Sequence, residues 1–202
     1  MSFHILYQEG YKPKERARDS LKAFLEAYLR KPDGIGIRLK KIPDSGQTDY
    51  STKDLNELID ENRPFPRIGT DRIHAFMVVV NGSYSEDGGG ATTLGLAFAA
   101  NRMALFGGAV EEYSDDPTEP QPWKLEASVM SHEMGHNLGL VANGSPMVNE
   151  HRDEDHGSHC DNSDCLMYYT AETSDIVNSL VGNKVPTLDA ACQNDLEANG
   201  GS

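Results

Sequence analysis

Two histidines four residues apart, with an acid between them, constrain this 202-residue chain more than any other feature. Residues 132–139 read His-Glu-Met-Gly-His-Asn-Leu-Gly. On an α-helix, side chains at positions i and i+4 lie on one face, so His132 and His136 can direct their ring nitrogens at one ion. Leu125 and Val129 continue the same stripe toward the N-terminus. The spacing therefore predicts an α-helix whose buried face ends in two metal ligands.

Glu133, directly after the first histidine, is suited to accept a proton rather than to bind the metal. Zinc lowers the pKa of a bound water toward neutrality, and a carboxylate beside that water can take its proton. The pattern His-Glu-x-x-His-x-x-Gly is typical of zinc-dependent hydrolases. Glu133 is therefore the candidate general base, and His132 and His136 are candidate zinc ligands.

A catalytic zinc site needs a third protein ligand and leaves the fourth position to water. Gly139 lets the chain leave the helix by a backbone conformation that other residues disfavour, so the third ligand should follow a sharp turn. Ala142, three residues further on, cannot bind metal. Residues 141–158 are polar, rich in turn formers, and typical of an inserted loop. The possible ligands within this loop are His151, Asp153, Asp155 and His156.

The residues after the loop resemble a known family of zinc peptidases. His159-Cys160, four further residues, and then Cys165-Leu166-Met167 are similar to the archaemetzincins, metzincins whose motif runs HExxHxxGxxHC, four residues, then CxM. The resemblance is specific over residues 130–167. It implies that the loop separates Gly139 from the third ligand, which makes His159 the favoured candidate over the loop residues.

The same resemblance assigns roles to two residues near the second cysteine. Residues 165–169 resemble the metzincin Met-turn, in which a methionine, here Met167, lies beneath the zinc-binding imidazoles as an apolar floor. In some metzincins a tyrosine two positions later approaches the zinc or the developing oxyanion, and Tyr169 occupies that position. An ordinary core aromatic is the alternative for Tyr169, because an apolar body with a polar tip suits either role.

The three cysteines cannot all pair within one chain. Archaemetzincins bind a second, structural zinc with the cysteines of the HC and CxM elements and of a later CxxC. In this chain Asp189 stands where the first cysteine of that pair would be, and Cys192 is the second. Since a carboxylate oxygen can bind zinc, the resemblance implies a site of Cys160, Cys165, Asp189 and Cys192. A disulfide between Cys160 and Cys165 is the alternative in an oxidising compartment.

Strand-like and helix-like patterns alternate before the zinc helix, which predicts an α/β fold. A first helix should begin at Pro13 and a second at Ser51, where Asp54 completes a capping-box pattern. The expected strands are residues 3–7, 35–39, 73–80, 94–100 and 103–106. With the resemblance, this gives a metzincin-like architecture with a mixed, mostly parallel twisted sheet and packed helices.

We expect one catalytic domain over residues 1–202. Residues 1–139 would form an N-terminal subdomain with the sheet and the active-site helix. Residues 140–202 would form a small C-terminal subdomain with the loop, the third ligand and the Met-turn. The resemblance places residues 94–100 at the sheet edge nearest the zinc, where unpaired backbone groups could hold an extended peptide. An internal strand without substrate contact is the alternative.

Composition limits the partners. The formal charge of -14 argues against nucleic acid, because a phosphate backbone is bound by clustered lysine and arginine. No stretch has the unbroken apolar length that spans a bilayer, and the first ten residues lack a signal-peptide pattern. We expect a monomer that acts on peptide or protein substrates. Either it is cytosolic, or, as we favour, it is secreted or attached to the cell envelope and its leader lies outside this sequence.

Together these observations predict a zinc metalloendopeptidase of the metzincin type with Glu133 as general base. The alternative is a non-catalytic zinc-binding protein in which a ligand from residues 141–158 closes the site, since structural zinc sites have four protein ligands. Glu133, which a structural site does not need, favours the peptidase. A gluzincin-type enzyme, with a distant glutamate as third ligand, disagrees with Gly139 and the Met-turn.

Overall fold

Strands and helices alternate along the N-terminal part of the chain. The computed structural model of the protein describes residues 1–63, 73–88, 90–114, 116–178, 180 and 184–201. The strands are β1 (Ser2–Gln8), β2 (Gly36–Ile42), β3 (Asp49–Tyr50), β4 (His74–Val80), β5 (Ser83–Tyr84), β6 (Gly95–Ala99) and β7 (Arg102–Phe106). The α-helices are α1 (Glu15–Tyr28), α2 (Thr52–Asn62), α3 (Gly107–Glu112), α4 (Pro122–Asn137) and α5 (Ala190–Ala198). Two short 3-10 helices span Tyr169–Glu172 and Ser174–Asn178.

The main sheet has five strands in the order β2-β1-β4-β7-β6. The first four run parallel, and β6 pairs antiparallel with β7 at one edge. β3 and β5 form a separate parallel pair. The predicted α/β class and mostly parallel sheet are therefore confirmed. The segment expected at a sheet edge, residues 94–100, contains the edge strand β6.

Local sequence explains why the predicted elements form. In β4 every residue after His74 is buried, as expected for a central parallel strand covered on both faces. The capping box of α2 is present, because the Ser51 N–H donates to Asp54 Oδ2 at 2.8 Å and the Asp54 N–H donates to Ser51 Oγ at 3.3 Å. Both predicted N-terminal helices are therefore confirmed, with α1 starting two residues after Pro13.

The strand order places α1 and α2 on opposite faces of the sheet. β2 and β4 lie on opposite sides of β1, so right-handed crossovers put the helices that precede them on opposite faces. α1 contacts α4, and α4 also contacts β6, β7 and the first 3-10 helix. The sequence predicted one buried stripe on α4, but α4 is buried all round from Lys124 to His136 because these neighbours surround it. Among the described residues, no helix is both long and apolar enough to cross a membrane.

Apolar side chains form two clusters. The larger one is built from the sheet strands and the helices that cover them. The smaller one lies after α4 and consists of Leu140, Val141, Cys160, Cys165, Leu166, Met167, Leu188, Cys192 and Leu196. This second cluster contains all three cysteines, so the packing of the C-terminal part depends on sulfur side chains.

Candidate metal centre and active site

α4 ends in a sharp turn directly after His136. Gly139 follows with a φ of +84°, and a Cβ on this residue would lie 2.5 Å from Ser145 Oγ. Both the backbone conformation and the lack of space therefore require glycine here. Val141 and Ala142 also have positive φ values, of 52° and 59°. The chain thus leaves the helix as Gly139 predicts, and the residue three positions later is an alanine without a ligand atom.

The structure brings His132, His136 and His159 together with a fourth side chain, Glu172. One ligand atom from each lies within 4.8 Å of the others. The Nε2 atoms of His132 and His136 are 3.0 Å apart. His159, the favoured third ligand, therefore lies beside the first two. Three convergent imidazoles are a donor set that zinc prefers.

Backbone carbonyls orient two of these rings. The Nδ1 atom of His132 lies 2.7 Å from the Leu166 carbonyl oxygen, and the Nδ1 atom of His159 lies 2.5 Å from the His156 carbonyl oxygen. A carbonyl accepts only, so each Nδ1 carries the proton and each Nε2 keeps its lone pair. The buried Nε2 atom of His159 has no hydrogen-bond partner. Both rings therefore offer Nε2 to the centre of the group.

The inserted loop, residues 141–158, positions His159. Arg152 and Cys160 form an antiparallel bridge, so the end of the loop folds back as a hairpin around His159. The loop is also tied to α5, because His151 Nε2 lies 2.8 Å from a carboxylate oxygen of the buried Asp195. The third histidine is therefore supplied by a loop with its own tertiary anchor.

The other candidate ligands of the loop have different partners. His151 pairs with Asp195, and His156 Nδ1 lies 2.7 Å from Asp153 Oδ2. In the part of the chain that the structure describes, neither they nor Asp155 join a group of potential metal ligands. The arrangement lends no support to a zinc site closed by residues 141–158.

Sequence reasoning did not identify Glu172. It ends the first 3-10 helix, and its Oε2 atom lies 3.8 Å from the Nε2 atoms of both His132 and His136. Its Oε1 atom lies 3.5 Å from His159 Nε2. The residue lies five positions after Met167, beyond the segment that carries the family motif. The only available sequence signal was an acidic residue shortly after the presumed Met-turn.

Glu133 is fully buried, and neither carboxylate oxygen has a hydrogen-bond partner. Burial, and secondarily the negative charge of Glu172, raise the pKa of Glu133 well above its usual range, and the nearby Ala97 N–H offsets only a part of this. Strand β6 passes close above it, since a Cβ on Gly95 would lie 2.8 Å from Glu133 Oε1. Buried polar groups are nearly always paired, so an unpaired acid next to a ligand group indicates a functional site.

The electrostatics of the histidine group differ from ring to ring. Burial, followed by repulsion from His132 and His159, lowers the pKa of His136. Burial alone would lower the pKa of His159, but the Glu172 carboxylate outweighs it and raises that pKa. In return, His132 and His159 lower the pKa of Glu172 against the effect of its burial. The group therefore combines an ionised carboxylate with imidazoles around one point.

Met167 lies against α4 at Gly135. The Tyr168 N–H donates to the Cys165 carbonyl at 3.1 Å and closes a turn over residues 165–168. Met167 is fully buried, and a Cβ on Gly135 would lie 2.3 Å from its Sδ atom. Gly135 therefore permits a close approach of the sulfur to the helix, and the role of Met167 as an apolar floor beneath the imidazoles stays a prediction.

Tyr169 stacks on His156. The two ring centroids are 3.7 Å apart and the planes differ by 3°. Within the described residues, the structure gives no contact between Tyr169 and the three ligand histidines. Its predicted role beside the oxyanion stays a prediction.

Cys160, Cys165, Asp189 and Cys192 form a second group, with ligand atoms within 4.8 Å of one another. All three thiols are free, and the Sγ atoms of Cys165 and Cys192 are 3.6 Å apart, whereas a disulfide bond measures about 2.05 Å. The alternative disulfide between Cys160 and Cys165 is not formed. Asp189 also caps α5 by accepting the Cys192 N–H at 2.9 Å.

The sulfur of Cys165 is surrounded by donors. It accepts the backbone N–H groups of Met167 and Asp189, each at 3.4 Å. Hydrogen bonds from Cys160 and then Cys192 lower the pKa of Cys165. A thiolate, the form that binds metal, is therefore stabilised in this group. The residues predicted for the second site lie together, as the first set does.

A cavity of about 520 Å³ lies beside His136. Its walls are residues 97–100, which include the end of β6, the helix end at residues 136–139 and the turn at residues 143–145. The edge strand and the end of α4 that carries His136 thus face the same space.

Residues 22–141 match the sequence profile described as "Metallo-peptidase family M12B Reprolysin-like". The matched segment is more than half of the chain and contains His132, Glu133 and His136. No curated protein sequence matches the chain significantly. The profile match therefore carries the assignment at the level of the sequence.

Solved structures of similar fold agree with it. An archaemetzincin from Methanopyrus kandleri has a TM-score of 0.62 and 15% identity, over 98% of this chain and 94% of its own. A zinc-dependent peptidase from Methanocorpusculum labreanum has a TM-score of 0.59 and 16% identity, over 96% and 99%. Metalloproteinase-II from Bacteroides fragilis has a TM-score of 0.55 and 14% identity, over 97% of this chain but 51% of its own. At these identities the likeness concerns the fold, and the resemblance to archaemetzincins is confirmed.

Proposed function

This chain belongs to the reprolysin-like metallopeptidase family M12B, and on that premise we propose that it hydrolyses peptide bonds as a zinc-dependent endopeptidase. The observation that carries the proposal is a buried, unpaired carboxylate, Glu133, beside three convergent imidazoles. A site that served structure alone would have no use for such an acid, whose burial without a partner is unfavourable. The peptidase function accounts for it.

The residues present fit zinc. His132, His136 and His159 would hold the ion, since neutral imidazole nitrogen is a preferred zinc ligand. The backbone carbonyls that accept from Nδ1 of His132 and His159 fix the orientation of these two rings, as is usual for metal-binding histidines. When bound, zinc supplies a Lewis acid that polarises the scissile carbonyl and makes a water more acidic.

The protein's own groups do the rest of the chemistry. Glu133 takes a proton from the attacking water and later delivers it to the leaving amine. Its burial keeps competing water away from the carboxylate. The open edge of β6 holds the peptide extended across the cleft through backbone hydrogen bonds. Tyr169 is a candidate to assist at the oxyanion if its stack on His156 opens when substrate binds.

We also propose that Cys160, Cys165, Asp189 and Cys192 bind a second, structural zinc. The thiolate-stabilising contacts and the proximity of all four donors support this role. The cysteines flank the active-site elements in sequence, since Cys160 follows His159 and Cys165 begins the turn that carries Met167. This zinc would hold the segment that supplies the third ligand and the apolar floor.

The experiment combines metal content with peptide cleavage. The purified protein should hold two zinc ions per chain, cleave members of a mixed peptide library detected by mass spectrometry, and lose cleavage with a chelator. His136→Gln should leave one zinc and no cleavage. Cys165→Ser should also leave one zinc, with a lower melting temperature because the second apolar cluster loses its metal. A zinc-filled native protein that cleaves nothing in the library would contradict the proposed function.

A further inference from the structure

Glu172 occupies the place that a catalytic zinc site usually leaves to solvent. Four ligands about 2.0–2.1 Å from one zinc in a tetrahedron lie about 3.3–3.4 Å from each other. In the structure, the Nε2 atoms of His132 and His136 are 3.0 Å apart. The Oε2 atom of Glu172 lies 3.8 Å from each of these atoms, and its Oε1 atom lies 3.5 Å from His159 Nε2. Each distance differs from the tetrahedral separation by about 0.5 Å or less.

The backbone holds Glu172 in this place. Its carbonyl accepts the Leu94 N–H at 2.7 Å, and the Ser174 N–H donates to the Thr92 carbonyl at 2.8 Å. Between them, Thr93 and Thr173 form an antiparallel bridge. The segment that carries Glu172 is therefore paired with the residues that lead into β6. This backbone pairing fixes the position of Glu172 beside the histidine group.

The side chains around the Glu172 carboxylate are also suited to bind a metal ion. In the described part of the chain, the ion-pair neighbours of its carboxylate are three imidazoles, with no lysine or arginine among them. In two of these imidazoles the Nδ1–H group donates to a backbone carbonyl, which leaves Nε2 available to bind a metal. A carboxylate and three imidazoles whose ligand atoms lie within 4.8 Å of one another form a donor set that a zinc ion can bind.

We propose that Glu172 is a fourth protein ligand of the metal in the resting protein, which gives a site of three histidines and one glutamate. The inference rests on the proposed function, since it requires metal at the three histidines. A peptidase needs an open position for its reaction, so the carboxylate must leave the metal when substrate binds. The side chain of Glu172 is 27% exposed, so solvent is available for it to move into.

Zinc affinity and zinc coordination test this assignment together. The variant is Glu172→Gln, which keeps the size of the side chain, and the matched control is Asp175→Asn, an exposed acid in the next 3-10 helix. Affinity at the histidine site is measured by competition with a chelator. We expect Glu172→Gln to bind zinc roughly 10- to 100-fold more weakly than the native protein, the range seen when groups that support a zinc site are removed. Asp175→Asn should bind as the native protein does.

A crystal structure of the zinc-loaded native protein completes the test. The expected result is a Glu172 oxygen about 2.0–2.2 Å from the zinc. Zinc on three histidines with water in the fourth position, and equal affinities in the native protein and Glu172→Gln, would overturn this inference and leave the peptidase proposal intact. A zinc-bound Glu172 in a protein that hydrolyses no peptide would support the inference and count against the proposed function. Absence of zinc from the histidines would overturn both.

Discussion

The two halves of α4 each bury a glutamate, and the two glutamates differ in their hydrogen-bond partners. Glu126 and Glu133 are seven residues apart, so they lie on nearly the same face of the helix. Glu126 accepts the Lys14 N–H at 2.7 Å, whereas both oxygens of Glu133 have no partner. Burial raises the pKa of both, that of Glu126 to about 7.

Under the proposed function, this difference separates a structural acid from a catalytic one. Lys14 is the N-cap residue of α1, so the contact with Glu126 ties the start of α1 to α4 and is explained by packing. For Glu133 the nearby Ala97 N–H only partly offsets the effect of burial, and an unsatisfied buried polar group costs about 1–3 kcal/mol. We attribute this cost to the proposed role of Glu133 as general base beside the histidine group.

The same substitution at both positions is the most direct test of this comparison. Glu133→Gln should lower the turnover number by about 10²- to 10⁴-fold, the usual contribution of a general base, while zinc content stays the same. Glu126→Gln, the matched control on the same helix, should keep the native turnover number. The measurement is peptide hydrolysis at saturating zinc with metal content determined on the same samples. If Glu133→Gln cleaves at the native rate, Glu133 is not the base.

Glu126→Gln should instead change the pH dependence of stability. The folded-state pKa of Glu126 is about 7, against 4.5 for an exposed glutamate, so its contribution to stability is fully present below pH 4.5 and is lost as the pH rises through 7. The variant should therefore be more stable than the native protein at pH 8, by roughly 3 kcal/mol, with the difference vanishing toward pH 4.5. Urea unfolding at both pH values measures it. A difference that grows toward acid pH would contradict the assignment.

Local sequence pattern was sufficient to predict the parts of the candidate site that lie on one helix or in one motif. His132, Glu133 and His136 follow from helical spacing, and Gly139 marks the sharp exit. The position of His159 followed from the cysteines after the loop, because a family motif that resumes after an insertion defines where the insertion ends. Strand β4 and the capping box of α2 were predictable for the same reason, since both depend on neighbouring residues.

Contacts between distant segments left no comparable pattern. Glu172 reaches the histidine group because its backbone pairs with Leu94, far away in sequence. Asp195 anchors the inserted loop through His151, and nothing near either residue indicates the other. The burial of α4 on all sides likewise depends on neighbours that periodicity does not reveal. Tertiary pairing of this kind has to be observed in the fold.

The smallest expected effect is a change in stability on substituting two small residues, Gly135 and Ser128, one in each half of α4. Gly135→Ala gains about 1 kcal/mol of helix propensity, but it forces Met167 to move, and overpacking a core costs about 1–3 kcal/mol. We expect a net loss of about 1 kcal/mol with reduced hydrolysis, because the displaced methionine lies against the segment that carries the ligands. Ser128→Ala, in the other half, removes a buried hydroxyl without a partner and should leave stability unchanged or slightly higher.

Thermal unfolding and peptide hydrolysis of both variants measure this contrast. Adding Met167→Ala to Gly135→Ala separates its two possible causes. If contact with the sulfur is responsible, alanine at position 135 should no longer be unfavourable once Met167 is shortened, although the shortened side chain lowers stability on its own. If Gly135→Ala is equally unfavourable in both backgrounds, the constraint lies in the helix backbone. The need for glycine at position 135 would then have a cause other than the contact with Met167.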